Sequence, residues 1–342
     1  MERKLATIKQ IDKLEPIEGA DKILKATIGG WHIVTAKDNG FKEGDLVVYL
    51  EVDSWVPTEI APFLSRGQEP KEFNGIKGER LRTIKLRGQI SQGLILPLSV
   101  LDGNIVPQEG TDLTEVLGIQ KYEKPIPTQL AGIAKGNFPS FIPKTDEERL
   151  ENLRKEFQTY KEQNLTFEVT EKLEGSSMTV FYRNIDGIIE TGVCSRNINL
   201  VETTDNSFWI AARKYRLLEK LTELNVNVAL QMELIGPSVQ GNIYGLKELE
   251  IRLFNVYNIN TQKYLDSNER LEIAEKLQIE TVPVIMSRLS ISAMNIEDIL
   301  ALADGTSMLA NTLREGLVFK SIEDPSVSFK SISKNYLLGE KC

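Results

Sequence analysis

Apolar and polar positions change their spacing part-way along the chain. Up to about Gly118 they form short runs broken by turn residues. Ala6-Thr7-Ile8 opens the series. Residues 23–28 lead through Gly29-Gly30 into Trp31-His32-Ile33-Val34-Thr35, the pattern of a β-hairpin. Asn39-Gly40 marks a further turn, and Gly44-Asp45 precedes the apolar run Leu46-Val47-Val48-Tyr49-Leu50. Residues 80–86 and Gly93-Leu94-Ile95-Leu96 add more short strands. So many strands over roughly a hundred residues predict a small OB-like β-barrel.

The spacing then lengthens. Pro125, Pro127, Pro139 and Pro143 mark residues 120–143 as a linker between an OB-like domain at 1–119 and a second domain at 144–342. Thr145-Asp146-Glu147-Glu148 reads as an N-cap and acidic first turn, followed by Leu150, Leu153 and Phe157 at helical spacing. Leu165-Thr166-Phe167-Glu168-Val169 alternates as a half-buried strand does, and Gly175-Ser176-Ser177 turns the chain into Met178-Thr179-Val180-Phe181-Tyr182. Residues 208–224 predict one amphipathic helix through Ile210, Leu217, Leu221 and Leu224, with Trp209 in the core. A nearly continuous apolar strand at 228–235 is interrupted by Glu233. Residues 251–259 predict a strand, 268–277 and 297–302 helices, and Leu317-Val318-Phe319 and Val327-Ser328-Phe329 closing strands. There is no regular βαβ beat, so the second domain is α+β with a mostly antiparallel sheet.

Composition narrows the function. A chain of 342 residues favours two domains. The net charge of −8 excludes coating nucleic acid by bulk charge, so a polyanionic partner needs a local patch. Lys77, Arg80, Arg82, Lys85 and Arg87 supply one, with Arg80 and Arg82 on one strand face; the same charges also suit a protected sheet edge. Cys194 and Cys342 give no disulfide framework or zinc pattern, and His32 alone cannot furnish a histidine-based catalytic set. The first residues show no apolar leader and no run spans a bilayer, so an intracellular setting without a membrane is expected.

The chemistry collects at strand ends after the linker. Lys172 ends a strand beside the Gly175 turn, where backbone N–H groups suit a phosphate. With it stand the cationic Arg196, Lys320 and Lys330 and the acidic Glu174, Glu233 and Glu315. Such a set can hold a triphosphate and a hydrated Mg²⁺, and Phe254 offers a flat face to a base. A carboxylate on the apolar Glu233 strand is costly unless paired or near a metal.

These motifs, in this order, resemble the covalent nucleotidyltransferases, the ATP-dependent ligases and mRNA capping enzymes. Lys172-Leu173-Glu174-Gly175 matches their first motif, and Ser195-Arg196-Asn197 is similar to the arginine motif that follows. Glu233-Leu234-Ile235-Gly236 resembles the ribose-contacting strand of RNA ligases. Phe254-Asn255-Val256-Tyr257, Glu315-Gly316-Leu317-Val318-Phe319-Lys320 and Phe329-Lys330 are similar to the third, fourth and fifth motifs. An OB-like domain placed first, with Gly19-Ala20-Asp21-Lys22-Ile23 and Gly44-Asp45-Leu46-Val47-Val48-Tyr49, resembles the nick-sealing RNA ligases of the Deinococcus and Naegleria type. The chain departs from the pattern in having Glu174 where many relatives have Asp, and one lysine, Lys330, where they often have two.

The resemblance implies that Lys172 attacks the α-phosphate of ATP to form lysyl-AMP. The AMP then passes to a 5′-phosphate, and a 3′-hydroxyl displaces it. The attacking amine must be neutral, whereas a free lysine titrates near 10.4; Lys320, Lys330 and a metal ion favour the neutral form. By resemblance Glu174, Glu233 and Glu315 orient Mg²⁺ or Mn²⁺, and Lys320 and Lys330 bind the α-phosphate. Arg196 and Arg149 hold phosphates, Phe254 stacks on adenine, and Glu171 reads the adenine edge. The implied substrate is a nick with RNA on the 3′-hydroxyl side, in RNA or RNA/DNA duplex, met through the N-terminal domain. The alternatives are a capping-type guanylyltransferase and a non-catalytic OB-containing RNA-binding protein.

Overall fold

The computed structural model describes residues 4–87, 89–101, 103, 105–122, 132 and 134–339, apart from the side chain of Lys85. Pro125, Pro127 and Cys342 lie outside the described residues. The chain separates into two compact units, Met1–Pro125 and Ile126–Cys342.

In the first unit, Leu46–Leu50 pairs with Ala6–Gln10 on one side and Leu94–Leu96 on the other. Its apolar run is continuous because both faces are buried. Val48 and Leu50 join a core with Ile8, Val56 and Leu96, while Val47 and Tyr49 join another with Trp31, Ile33 and Ile95. The expected hairpin is Ala20–Ile28 with Trp31–Ala36, in a register that places Ile28 opposite Trp31. His32 sits on that second strand, and its carbonyl accepts from the Gln92 N–H. The basic stretch is not one open face. Strand Ile76–Arg80 ends at Arg80, so Arg82 does not share its ladder. Arg80 is ion-paired to Asp53 and lies 4.8 Å over the Tyr122 ring, and Lys77 pairs with Glu69. Arg82 and Arg87 are exposed.

Two sheets build the second unit. One has four antiparallel strands in the order Val284–Ser290, Thr166–Lys172, Gly316–Ser321, Ser328–Ile332. Its apolar face carries Phe167, Val169, Leu317, Phe319 and Phe329, covered by helices Arg154–Glu162 and Ile296–Leu302. The other has seven strands, with Ser176–Ile185, Val228–Ile235 and Glu250–Asn258 adjacent. Met178, Val180, Leu230, Met232 and Leu253 face helices Ser207–Lys214, Leu217–Leu224 and Ser267–Leu277. The period of two sends the alternate residues of both sheets to the opposite faces. That leaves Glu168, Thr170, Lys172, Lys320 and Lys330 on one and Ser177, Gln231 and Glu233 on the other, where a register shift in the ladder adds Asn255 opposite Gln231. The Lys320 ammonium joins the two sheets through Asn255 Oδ1.

Two helix expectations change. Residues 208–224 form two helices, because Arg216 adopts the left-handed backbone (φ 52°) between them; Asn206 caps the first by accepting from the Phe208 and Trp209 N–H groups. Trp209 is buried in the core as expected. Residues 145–148 are not a helix start. The helix begins at Arg154, after the short turn Leu150–Asn152, because Asp146, Glu147 and Glu148 are held by other elements. Asp146 pairs with Arg196, Glu147 accepts from the Ser328 hydroxyl, and the Glu148 carbonyl accepts from the Lys330 N–H.

Candidate active site

Lys172 is the last residue of its strand, directly opposite Gly316 on the neighbouring one. Gly316 is required there: a Cβ would lie 2.2 Å from the Ser331 carbonyl oxygen. The residue before it, Glu315, aims its carboxylate at the lysine, with Oε1 accepting from Nζ at 2.6 Å. Both side chains are largely buried, with 27% and 19% of their surface exposed. Such a pair is protected from screening but stays open to a ligand.

Glu233 faces the same amine from the other sheet. Burial pushes its carboxyl up to about 8; Lys172 and Arg196 pull it down, and Glu315 pushes it up further. A desolvated carboxyl beside a second carboxylate fits a place that receives added positive charge.

Glu174 behaves differently. Its Oε1 accepts from the Gly241 N–H (3.1 Å), its Oε2 from the Tyr336 hydroxyl (2.7 Å), and its own N–H donates to the Tyr244 hydroxyl (2.7 Å). Among the described residues no three His, Cys, Asp or Glu side chains converge as metal ligands. Glu174 is thus held by the loop at 236–245 and the C-terminal helix Lys334–Leu338, whereas Glu315 and Glu233 face Lys172. In the turn at Gly175 the Glu174 N–H is taken by the Tyr244 hydroxyl. Gly175 is there for close packing, its Cβ position lying 2.4 Å from the Leu234 carbonyl oxygen.

The cationic groups are spread along the cleft. Lys330 lies opposite Val318, two residues from Gly316, and the backbone of Arg149 forms a lone β-bridge with that of Lys330. Lys320 is four residues from Gly316, about 13 Å along an extended strand. Its Nζ donates to the Phe254 carbonyl (3.0 Å) and to Asn255 Oδ1. Burial pulls it down to about 8, helped by Arg270 and opposed by Glu147 and Glu168. Lys320 thus ties the sheets together at the far end of the cleft and does not flank Lys172. Behind it Arg270, fully buried, donates to both oxygens of Glu168 (3.0 and 2.8 Å). Arg196 pairs with Asp146 at the cleft mouth.

Phe254 and Glu171 are the two residues expected to meet the base. Phe254 is half-buried in an apolar cluster with Leu173, Ile235, Tyr244 and Val282. Glu171 is buried; its Oε2 accepts from the Met308 N–H at 2.8 Å, and its Oε1 has no hydrogen-bond partner. The sequence reading missed Tyr244, Gly241, Tyr336, Asn255 and the Glu168–Arg270 pair. Only Asn255 carried a signal, lying next to Phe254 in a quoted motif.

A lysine ending one strand of an antiparallel two-sheet cleft, met by a carboxylate from the next strand, defines the nucleotidyltransferase class. A family model described as RNA ligase matches residues 165–334, and one described as an OB-fold domain matches residues 5–98. Solved structures of Naegleria gruberi RNA ligase are 44% identical. One with PPi and one of a lysine-to-methionine mutant with AMP and Mn each superpose with a TM-score of 0.89, covering 98% of this chain and 98% of that chain. A glutamate-to-alanine mutant with ATP and Mn gives 0.88 over the same shares. No curated protein matched. The chain belongs to the RNA ligase family and is an ATP-dependent RNA ligase with an N-terminal OB domain. The capping-type and non-catalytic alternatives are set aside by that membership. Among the described residues no helix is long and apolar enough to cross a membrane.

Proposed function

We propose that the enzyme seals nicks in duplexes with RNA on the 3′-hydroxyl side, through lysyl-AMP on Lys172. The 2.6 Å contact between Lys172 Nζ and Glu315 Oε1 carries the reading. In the first step Glu315 Oε1 takes a proton from the Lys172 ammonium, and the resulting neutral amine attacks the α-phosphorus. A nitrogen–phosphorus bond forms, the bond to the pyrophosphate oxygen breaks, and the second amine proton leaves with the departing pyrophosphate. The AMP then moves to a 5′-phosphate, and a 3′-hydroxyl displaces it. In-line transfer leaves the chain mainly positioning and charge to provide.

The residues follow from their places. Lys330, Arg149 and Arg196 contact phosphates, and Lys320 holds the sheets that flank them. Phe254 stacks on adenine, and the unpartnered Oε1 of Glu171 accepts from its 6-amino group. Related structures hold ATP and Mn. Their mutants include a lysine and an aspartate two positions apart, the spacing of Lys172 and Glu174. Here Mg²⁺ or Mn²⁺ would be held through its waters by Glu233 and Glu315, neutralising phosphate charge. The first unit, Met1–Pro125, is the part that meets the nicked duplex; within the expected linker 120–143, Gln120–Lys121 pairs with that unit and Ala134–Asn137 with the ligase sheet. An intracellular setting suits Cys194, a buried free thiol pushed up to about 12 by burial.

The test is a panel of nicked and single-stranded RNA and DNA ends. Selective sealing of duplex nicks with a ribonucleotide 3′-hydroxyl supports the reading, and equal sealing of an all-DNA nick overturns it.

A further inference from the structure

The segment that follows Lys172 is held from two directions. Glu174 accepts from Gly241 in the 236–245 loop and from Tyr336 in the C-terminal helix. In that loop Ser238, Gln240 and Asn242 all have left-handed backbone (φ 65°, 46° and 44°), alternating with residues that do not. Such alternation turns backbone N–H groups into a concavity for an anion, and the Gly241 N–H points at Glu174 Oε1.

The C-terminal helix is fixed independently. The Ser333 N–H donates to the Glu315 carbonyl (2.9 Å), the Ser333 hydroxyl donates to Asp304 (2.6 Å), and Ser333 Oγ accepts from the Tyr336 N–H (3.1 Å). One short helix therefore touches both sides of the nucleophile: the backbone of Glu315, which pairs with Lys172, and the carboxylate two residues after it. Burial and the nearby carboxylates Glu315 and Glu174 raise the Tyr336 phenol, so it stays a donor.

We propose that Tyr336 is a positioning residue for the first chemical step: by holding Glu174 against the Gly241 N–H it fixes the Lys172 amine in line with the α-phosphorus. The longer Glu174, present where relatives have Asp, has the reach for this second contact. The proposal rests on the lysyl-AMP reading. A helix that only stabilised the fold would support every step alike. A helix that aims Lys172 supports only the step in which Lys172 attacks.

Tyr336→Phe in the full-length enzyme separates these roles, with inorganic pyrophosphatase present. Lysyl-AMP formation is followed in single turnover against ATP concentration, and sealing is followed with a pre-adenylylated nicked RNA duplex that bypasses Lys172. We expect the maximal rate of lysyl-AMP formation to fall roughly tenfold, the effect of one lost hydrogen bond to a charged group. Half-saturation by ATP and sealing of the pre-adenylylated nick stay at wild-type values. Glu174→Ala slows the first step similarly, and the double variant Glu174→Ala/Tyr336→Phe is no slower than Glu174→Ala alone. Equal loss in both assays, additive losses in the double variant, or no loss in the single variant overturns the proposal. Lysyl-AMP formation by Lys172→Ala would instead overturn the reading beneath it.

Discussion

Lys172 Nζ and Glu315 Oε1 lie 2.6 Å apart although 143 positions separate them in the chain. Strand pairing of Lys172 with Gly316 creates that closeness, and the missing Cβ of Gly316 permits it. The pair places a proton acceptor on the nucleophile before any substrate arrives. Glu315→Gln keeps the shape and removes the acceptor. Single-turnover lysyl-AMP formation should fall by about 10²-fold or more. An unchanged rate would assign proton removal elsewhere.

The unpartnered Oε1 of Glu171 is the acceptor proposed for the adenine amino group. Its partner oxygen is held by the Met308 N–H, so in Glu171→Gln the amide oxygen takes that place and the NH₂ group takes the free one. An acceptor for the adenine amino group becomes a donor suited to a guanine carbonyl. The ratio of adenylylation by ATP to guanylylation by GTP should fall by roughly 10- to 100-fold. Competition between labelled ATP and GTP measures it.

Glu233 and Lys320 give the apo-enzyme opposite pH slopes in separate windows. Glu233 is raised from 4.5 to about 8, so the folded state binds more protons over that range. Its contribution to stability is full below pH 4.5 and is lost as pH rises through 8. Lys320 is lowered from 10.5 to about 8, so its contribution is full above 10.5 and is lost as pH falls through 8. Thermal unfolding against pH should show Glu233→Gln with a flatter profile than wild type between pH 4.5 and 8, and Lys320→Met with a flatter one between 8 and 10.5.

The buried Glu168–Arg270 pair is a stability element. Arg270→Met strands a carboxylate that accepted two hydrogen bonds, at a cost of about 3–5 kcal/mol. Replacing both members, Glu168→Leu with Arg270→Met, should recover much of that loss in denaturant unfolding.

What could be read in the sequence divides along contact range. The Lys172 strand, the Glu233 strand and the run from Glu315 to Lys320 follow from alternation over a few residues, and their order suggests one site. The break at Arg216 could not be read, because a single left-handed residue leaves the helical spacing of Leu217 and Leu221 intact. Asp146 and Glu147 look like a helix cap until Arg196 and Ser328 are brought beside them. Tyr336 and Glu174 are 162 positions apart, and neither has a local pattern that names the other. Lys320 belongs to a recognisable run, yet only the register shows how far it stands from Gly316.

The account stands on covalent capture of AMP by one side chain. Mixing the enzyme with ATP and Mn²⁺, digesting it and mapping adducts by mass spectrometry tests this most directly. One AMP on the peptide containing Lys172, absent from Lys172→Ala, is the outcome predicted. An unmodified Lys172 in enzyme that still seals nicks would contradict it.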